Sequence, residues 1–292
     1  MQTAPDAYPL PNLPPAPTLD TSTVRAAERA EASAWTGGYA ALIASGAAGS
    51  VGAELIEEPQ ANSIFTGAVP DWSLNRLLGL NAGASVDEPW LETAVARYAE
   101  RGLPCTLAHN ERLDADRCLG AWLRARATRQ ARPWCKMLRS TAAPPLASTA
   151  LTLRHAGPED REAVGALMQA GFGLPAAMAR CFTSVIGHKD WVWYLACAAG
   201  QPAAVGALHL ADGGVGWMGM AATAREHRGQ GAQGAIMAAR IAEAGRRGCS
   251  WVTTETGIPV DDAPSPSLNN MLRLGFGAIC VRRNWIVDPP AG

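Results

Sequence analysis

Apolar positions recur along the chain at helical spacing in some stretches and at alternating spacing in others. Residues 23–45 repeat them every three to four positions and predict a helix. Residues 64–68 read as part of a strand, 87–101 as a helix capped by Ser85 and stopped by Gly102, and 104–108 as a strand. A helix over 113–126 and a strand over 134–138 follow. Beyond them, LTLRHA (151–156) alternates as a strand does, 158–170 opens with proline and acid as a helix does, and 175–186 predicts a second helix. The runs WVWYLACAA, PAAVGALHL and GVGWMGMAAT come next, separated by short glycine-containing turns. Such turns permit only antiparallel hairpins, so a three-stranded meander is expected. A helix to about Arg247, stopped by Gly248, leads to the strand SWVTTE (250–255), which should lie parallel to the last meander strand. A helix over 266–274 and a strand over 278–287 complete the chain. Both parts end in the order strand, helix, strand, helix, strand, which suggests an old duplication.

The uncharged segment STAAPPLAST marks a boundary between the two periodic regions. The division is a proline-rich arm over 1–22, expected to be disordered, a first domain over 23–139, a linker over 140–149 and a second domain over 150–292. A length of 292 residues suits two domains at a prior of roughly 150 residues each. The fold class expected is α/β (α+β), each domain a mixed, mostly antiparallel sheet flanked by helices. With 25 basic against 26 acidic residues and no basic run, the composition argues against general nucleic-acid binding. No apolar run has the length of a membrane span, and the N-terminus lacks the basic start and apolar core of a signal peptide. Seven dispersed cysteines, with no CxxC pair and no histidine at ligand spacing, predict no metal site and a reducing cytoplasm.

Arg228-Gly229-Gln230-Gly231-Ala232-Gln233-Gly234 lies between a strand and a helix. The first amides of a helix lack intrahelical acceptors, and glycines let a diphosphate approach them, so the loop suits a phosphate-bearing ligand. A tight turn in which glycine merely relieves strain is the plainer explanation. A Walker loop is excluded, because Ala235-Ile236 stand where lysine and a hydroxyl are needed. The dinucleotide pattern GxGxxG is met by Gly229, Gly231 and Gly234, with Glu255 further on near a strand end. The antiparallel meander before the loop speaks against that second alternative, a dinucleotide-binding protein.

From about residue 151 to 287 the chain resembles the GNAT superfamily of acetyl-CoA-dependent N-acetyltransferases. Arg228, Gly231 and Gln233 fall on that family's Arg/Gln-x-x-Gly-x-Gly/Ala loop, with Gln233 departing from the last position. The meander before the loop, the lead-in REHRG, the helix AARIAEAGRRGC and the stretch SPSLNNMLRLGF follow in the family's order. The resemblance implies acetyl-CoA as cofactor, its diphosphate held by Arg228, Gly229, Gln230, Gly231, Ala232, Gln233 and Gly234. It implies that Ala222 and Thr223 pair with the pantetheine arm and that Asn270 hydrogen-bonds it. The first domain lacks the loop. With NRLLGL (75–80) where a loop and helix would stand, it resembles a degenerate copy of the same fold, packed so as to shape the acceptor cleft.

Amide formation from a thioester needs a neutral amine, a stabilised oxyanion and a proton for the thiolate. Glu255 is the candidate base. The family's usual acid, a tyrosine four residues before the Gly of Gly-Phe, is replaced by Met271. His227 and the tryptophans at 191, 193, 217, 251 and 285 are expected to pack, and Arg240, Arg246 and Arg247 to lie in solvent. The function expected is acetyl transfer to an amine of a small molecule or peptide. The alternative is a non-catalytic acyl-CoA-binding module, which Met271 motivates.

Overall fold

The computed structural model describes residues 13, 15–16, 19–69, 71–259 and 265–290, the side chains of residues 180 and 181 excepted. Most of the expected arm lies outside the described residues. Inside it, Pro15 bridges Ala278, and the first helix already begins at Thr21.

Helix α1 (Thr21–Ala44) is capped by the Asp20 carboxylate on the Thr23 amide. Strands β1 (Ala53–Glu57), β2 (Asn62–Thr66) and β3 (Arg76–Leu78) follow, then α2 (Glu88–Ala99), β4 (Cys105–His109), α3 (Cys118–Arg126) and β5 (Arg129–Ser140). The second part supplies β6 (Thr152–His155), α4 (Arg161–Phe172), α5 (Ala176–Thr183), β7 (Trp191–Ala198), β8 (Gln201–Leu210) and β9 (Val215–Thr223). It ends with α6 (Ala232–Arg246), β10 (Trp251–Gly257), α7 (Pro266–Arg273) and β11 (Gly277–Val287).

Sequence periodicity misses β1 and β3. NRLLGL is not a loop and helix but contains β3, which is only three residues long and fully buried, too short to show alternation. The cap of α2 is Asp87, not Ser85, its carboxylate accepting from the Trp90 amide. The helix expected from 113 starts at Cys118, because the Asp114 carboxylate gathers the amides of Leu119 and Gly120 and turns the chain there.

All strands form one sheet in the order β1-β2-β3-β4-β11-β5-β10-β9-β8-β7-β6. Among the described strands only β3–β4 and β9–β10 pair in parallel, each pair joined through a helix, α2 or α6, as a crossover requires. The meander β7-β8-β9 is antiparallel. The order is nearly symmetric about its centre, where the last strand of each part lies beyond the other. Strand β11 sits between β4 and β5, and β5 pairs antiparallel with β10 from Trp251↔Ser140 to Gly257↔Trp134. Each parallel pair thereby gains a partner for its outer edge, whose main-chain groups would otherwise be unpaired.

The two faces carry different layers. Trp217 packs in the cluster containing α1, α4 and α5, whereas its neighbour Met218 packs with Met237, Ile241 and Ala244 of α6. Adjacent strand residues point to opposite faces, so α1 and α6 lie on opposite sides of β9. No helix among the described residues is long and apolar enough to cross a membrane.

Candidate active site

Hydrogen bonding between β9 and β10 ends at Trp217↔Thr253, after which the strands diverge. Just beyond, β9 carries a bulge. Val205 and Ala207 of β8 face Ala222 and Gly219, so β9 has an extra residue there, and Met220 adopts φ 49°, unusual for a side chain with a Cβ.

The glycine loop follows β9. Gly229 and Gly231 have φ 77° and 76°, and Gly231 is the N-cap of α6. The amides of residues 229 to 234 donate to no protein acceptor among the described residues, while the Ala235 amide bonds to the Gly231 carbonyl. A Cβ on Gly229 would meet open space, whereas one on Gly231 would lie 2.6 Å from the Ser148 carbonyl. The linker runs along one flank of the loop, and the Thr149 hydroxyl donates to the Gln230 carbonyl at 2.6 Å. These unpaired donors at the positive end of a helix, with residues 229–231 exposed, fit a diphosphate. The corresponding turn before α2 presents Asp87 and Glu88, which would repel one.

Gln233, the departure from the family pattern, reaches back to β9. Its side-chain Nε2 donates to the Ala222 carbonyl and the Thr223 hydroxyl, both at 2.9 Å, and to the Val205 carbonyl at 3.3 Å. Ala222 is buried, and a Cβ on Gly171 of α4 would lie 2.7 Å from its own. Arg228 is exposed, its Nε 3.4 Å from the Thr223 carbonyl. Asn270 sits on α7 and accepts from Arg273 at 2.8 Å. Met271 is buried among Leu268, Leu274 and Phe276. Arg240 is not in solvent. It is 1 % exposed, and its Nη1 donates to the carbonyls of Ala207 at 2.7 Å and Gly219 at 3.2 Å, beside the bulge. Burial lowers its pKa to about 10. Gly206 makes room for it, because a Cβ there would lie 2.9 Å from Arg240 Cζ.

Glu255 lies two residues past the last parallel pair and spans the divergence. Its carboxylate accepts from Trp217 Nε1 at 3.0 and 3.2 Å and from Lys136 Nζ at 3.2 Å. Around it is a buried charged cluster drawn from both parts of the chain. Lys136 of β5 also donates to Glu31 of α1 at 2.7 Å. Arg282 of β11 bridges Glu28 at 2.8 Å and Glu31 at 2.6 Å, and Arg76 of β3 lies 3.4 Å from Glu31. Three cations face three carboxylates, so the cluster is neutral.

Burial works to raise the Glu31 pKa, but the charges of Arg282, Lys136 and Arg76 outweigh it and hold it well below the carboxylate range. Glu255 moves the other way, raised by burial and by Glu31 against the opposing pull of Lys136 and Arg282. Burial thus leaves the Glu255 carboxylate, at the point of divergence, a stronger base than an exposed one.

Sequence reading missed Glu28, Glu31, Arg76, Lys136 and Arg282. The available signal was a charge in the inward phase of an apolar segment: Lys136 within WCKML, Arg282 within CVRRNW, and Glu28 and Glu31 one turn apart on an alanine-rich helix.

No family model matches the chain, and no curated protein matches it. Solved structures do share its fold. A GCN5-related N-acetyltransferase from Kribbella flavida aligns over 86% of this chain and 96% of its own, at 19% identity and TM-score 0.57. One from Sphaerobacter thermophilus aligns over 97% and 98%, at 14% identity and TM-score 0.55. A tandem GNAT protein from the clavulanic acid biosynthesis pathway aligns over 80% and 79%, at 15% identity and TM-score 0.53. By these alignments the chain shares the fold of GCN5-related N-acetyltransferases, a tandem GNAT protein among them.

Proposed function

We propose that this protein transfers an acetyl group from acetyl-CoA to an amine of a small molecule or peptide. The observation that carries this reading is the alignment of unpaired amides at the start of α6 with the divergence of β9 and β10. Residues 228–234 bind the diphosphate, and the end of β9 at Ala222 and Thr223 orients the pantetheine arm. Asn270 joins them through its Nδ2, its Oδ1 accepting from Arg273. The cofactor supplies an activated acyl thioester. A main-chain amide near Ala222 or Thr223, at the end of β9, polarises the acyl carbonyl, and Glu255 takes the proton of the amine. Position 271 holds no proton donor, so protonation of the leaving thiolate falls to solvent.

We assign acceptor binding to a cleft shaped by both parts of the chain, residues 23–139 and 150–292, and place the protein in a reducing cytoplasm. Nucleic acid and membrane are not among the proposed partners. A non-catalytic acyl-CoA-binding module is the second reading, favoured by Met271.

Calorimetry with acetyl-CoA and a thiol-release assay over a panel of amines test both. Tight CoA binding with turnover supports the enzyme, and binding with no turnover on any amine supports the module. Gly229→Glu points a like charge at the diphosphate in open space, so CoA affinity should fall about 100-fold, equivalent to roughly 3 kcal/mol. Unchanged affinity in that variant would show that the loop is not the diphosphate site.

A further inference from the structure

Two side chains of α6 converge on the β9 bulge. Gln233, Ile236 and Arg240 are spaced by three and four residues and share one face of the helix. That face meets β8 at Gly206, where a Cβ would lie 2.8 Å from Ile236 Cγ2 and 2.9 Å from Arg240 Cζ. Gly206 stands between the paired residues Val205 and Ala207, opposite Met220 and Ala221, so the helix packs tightly where β9 carries its extra residue.

The register pairs on either side of the bulge are Val205↔Ala222 and Ala207↔Gly219. Gln233 Nε2 donates to both carbonyls of the first pair, at 3.3 and 2.9 Å. Arg240 Nη1 donates to both carbonyls of the second, at 2.7 and 3.2 Å. Side chains two turns apart on one helix thus brace the bulge at both ends. Carbonyls only accept, so the amide nitrogen of Gln233, and not its oxygen, faces them. Arg240 is fully buried and forms no ion pair among the described residues. A buried cation held only by carbonyls is a costly way to fill a core.

The brace reaches the end of β9 through one peptide group. The Ala224 amide donates to the Ala203 carbonyl at 2.9 Å. In an antiparallel ladder the next pair, Ala204↔Thr223, then turns its amides and carbonyls outward. The Thr223 amide therefore faces away from β8, toward the divergence of β9 from β10. It belongs to the same peptide group as the Ala222 carbonyl that Gln233 engages. A donor on a peptide carbonyl draws charge from the attached N–H and makes it a stronger donor in turn.

We propose that Gln233 and Arg240 are positioning residues for acyl transfer, Gln233 aiming and polarising the Ala222–Thr223 peptide toward the thioester carbonyl and Arg240 fixing the other end of the bulge. The inference rests on the acetyl-transfer reading above. Neither side chain touches the reacting atoms. Both act through the main chain of β9, whose Thr223 N–H meets the negative charge that builds on the acyl oxygen. The departure from the family loop at position 233 then has a physical purpose, since a glycine or alanine there has no donor that could reach β9.

The test reads the acyl carbonyl directly, with acetyl-CoA isotope-labelled at that carbon as the probe and no acceptor present. A hydrogen bond weakens the C=O bond, so the infrared band of the wild-type complex should lie at lower wavenumber than that of free acetyl-CoA. Gln233→Met removes the donor at similar length and should lose at least half of that displacement. Its acetyl-CoA Kd by calorimetry should stay within about threefold of wild type, because the diphosphate loop is intact. Arg240→Met should lose part of the displacement as well. A lowered Tm with the band unmoved in either variant is the signature of a merely structural brace and overturns the proposal. Should Arg240→Met not fold, the Gln233→Met spectrum decides alone. Failure of the wild type to bind acetyl-CoA overturns the acetyl-transfer reading together with this inference. Binding with the band at its free position, or with a displacement that both variants keep, overturns this inference only.

Discussion

Replacing Lys136 with methionine isolates the contribution of the buried cluster. The ammonium group is fully buried and holds Glu31 at 2.7 Å and Glu255 at 3.2 Å. Glu31 keeps Arg282 and Arg76 after the substitution, but Glu255 retains, among the described residues, only the Trp217 indole N–H as a direct partner. Removing one member of a buried ion pair typically costs about 3–5 kcal/mol, because the remaining charge is left desolvated. At about 2–4 °C per kcal/mol for a chain approaching this size, Tm should fall by roughly 6–20 °C.

The sign of the pH dependence follows from Glu255. Its folded pKa is already above its unfolded value, and loss of Lys136 raises it further. Between those two values the folded state binds more protons, so the variant gains stability as pH falls through that window and loses it as pH rises. Urea unfolding at pH 5.5 and pH 8 should therefore show the larger deficit at pH 8. Adding Glu255→Gln to Lys136→Met should restore at least half of it, since the two sites are coupled. A deficit below about 1 kcal/mol at pH 8, or one independent of pH, would refute this account of the cluster.

Further outcomes follow from the same geometry. Glu255→Gln should lower kcat by about 100- to 10,000-fold, the usual range for loss of a general base, with CoA affinity by calorimetry unchanged; a kcat within about twofold of wild type would remove Glu255 from the chemistry. The wild-type kcat should rise with pH through the elevated Glu255 pKa, and a flat profile would contradict that role. Glu31 has a depressed folded pKa, so its contribution to stability is present above about pH 4.5 and lost as pH falls. Glu31→Gln should lower stability at pH 7 and flatten the acid limb of the unfolding curve, and an unaltered acid limb would show that Glu31 is not the dominant acid-sensitive group.

Local signals along the chain were enough for the elements that speak through periodicity, turns and caps. The meander β7-β8-β9, the parallel relation of β9 to β10 and the glycine loop before α6 were all legible, because short turns allow only hairpins and a crossover helix imposes parallel strands. The repeated strand-helix-strand-helix-strand order was legible too and is seen in β3-α2-β4-α3-β5 and β9-α6-β10-α7-β11. Strand β3 and the late start of α3 were not, since three buried residues show no period and a side chain folding back on two amides leaves no pattern. Arg240 was misjudged for a related reason. Its burial depends on Gly206, more than thirty residues earlier, which leaves space for the guanidinium over a bulge.

What the amino-acid order determined by itself was the identity and direction of neighbouring elements and the chemistry of one loop, because those depend on contacts within a few residues. Tertiary structure alone decided that β5 and β11 lie each beyond the other's sheet half, that α1 lies over β9 and β10, and that six charges drawn from five separate elements meet beneath it. Those relations join residues as far apart as Glu28 and Arg282. They are selected by the burial of a whole helix face and the pairing of whole strand edges, and no local window of sequence contains that information.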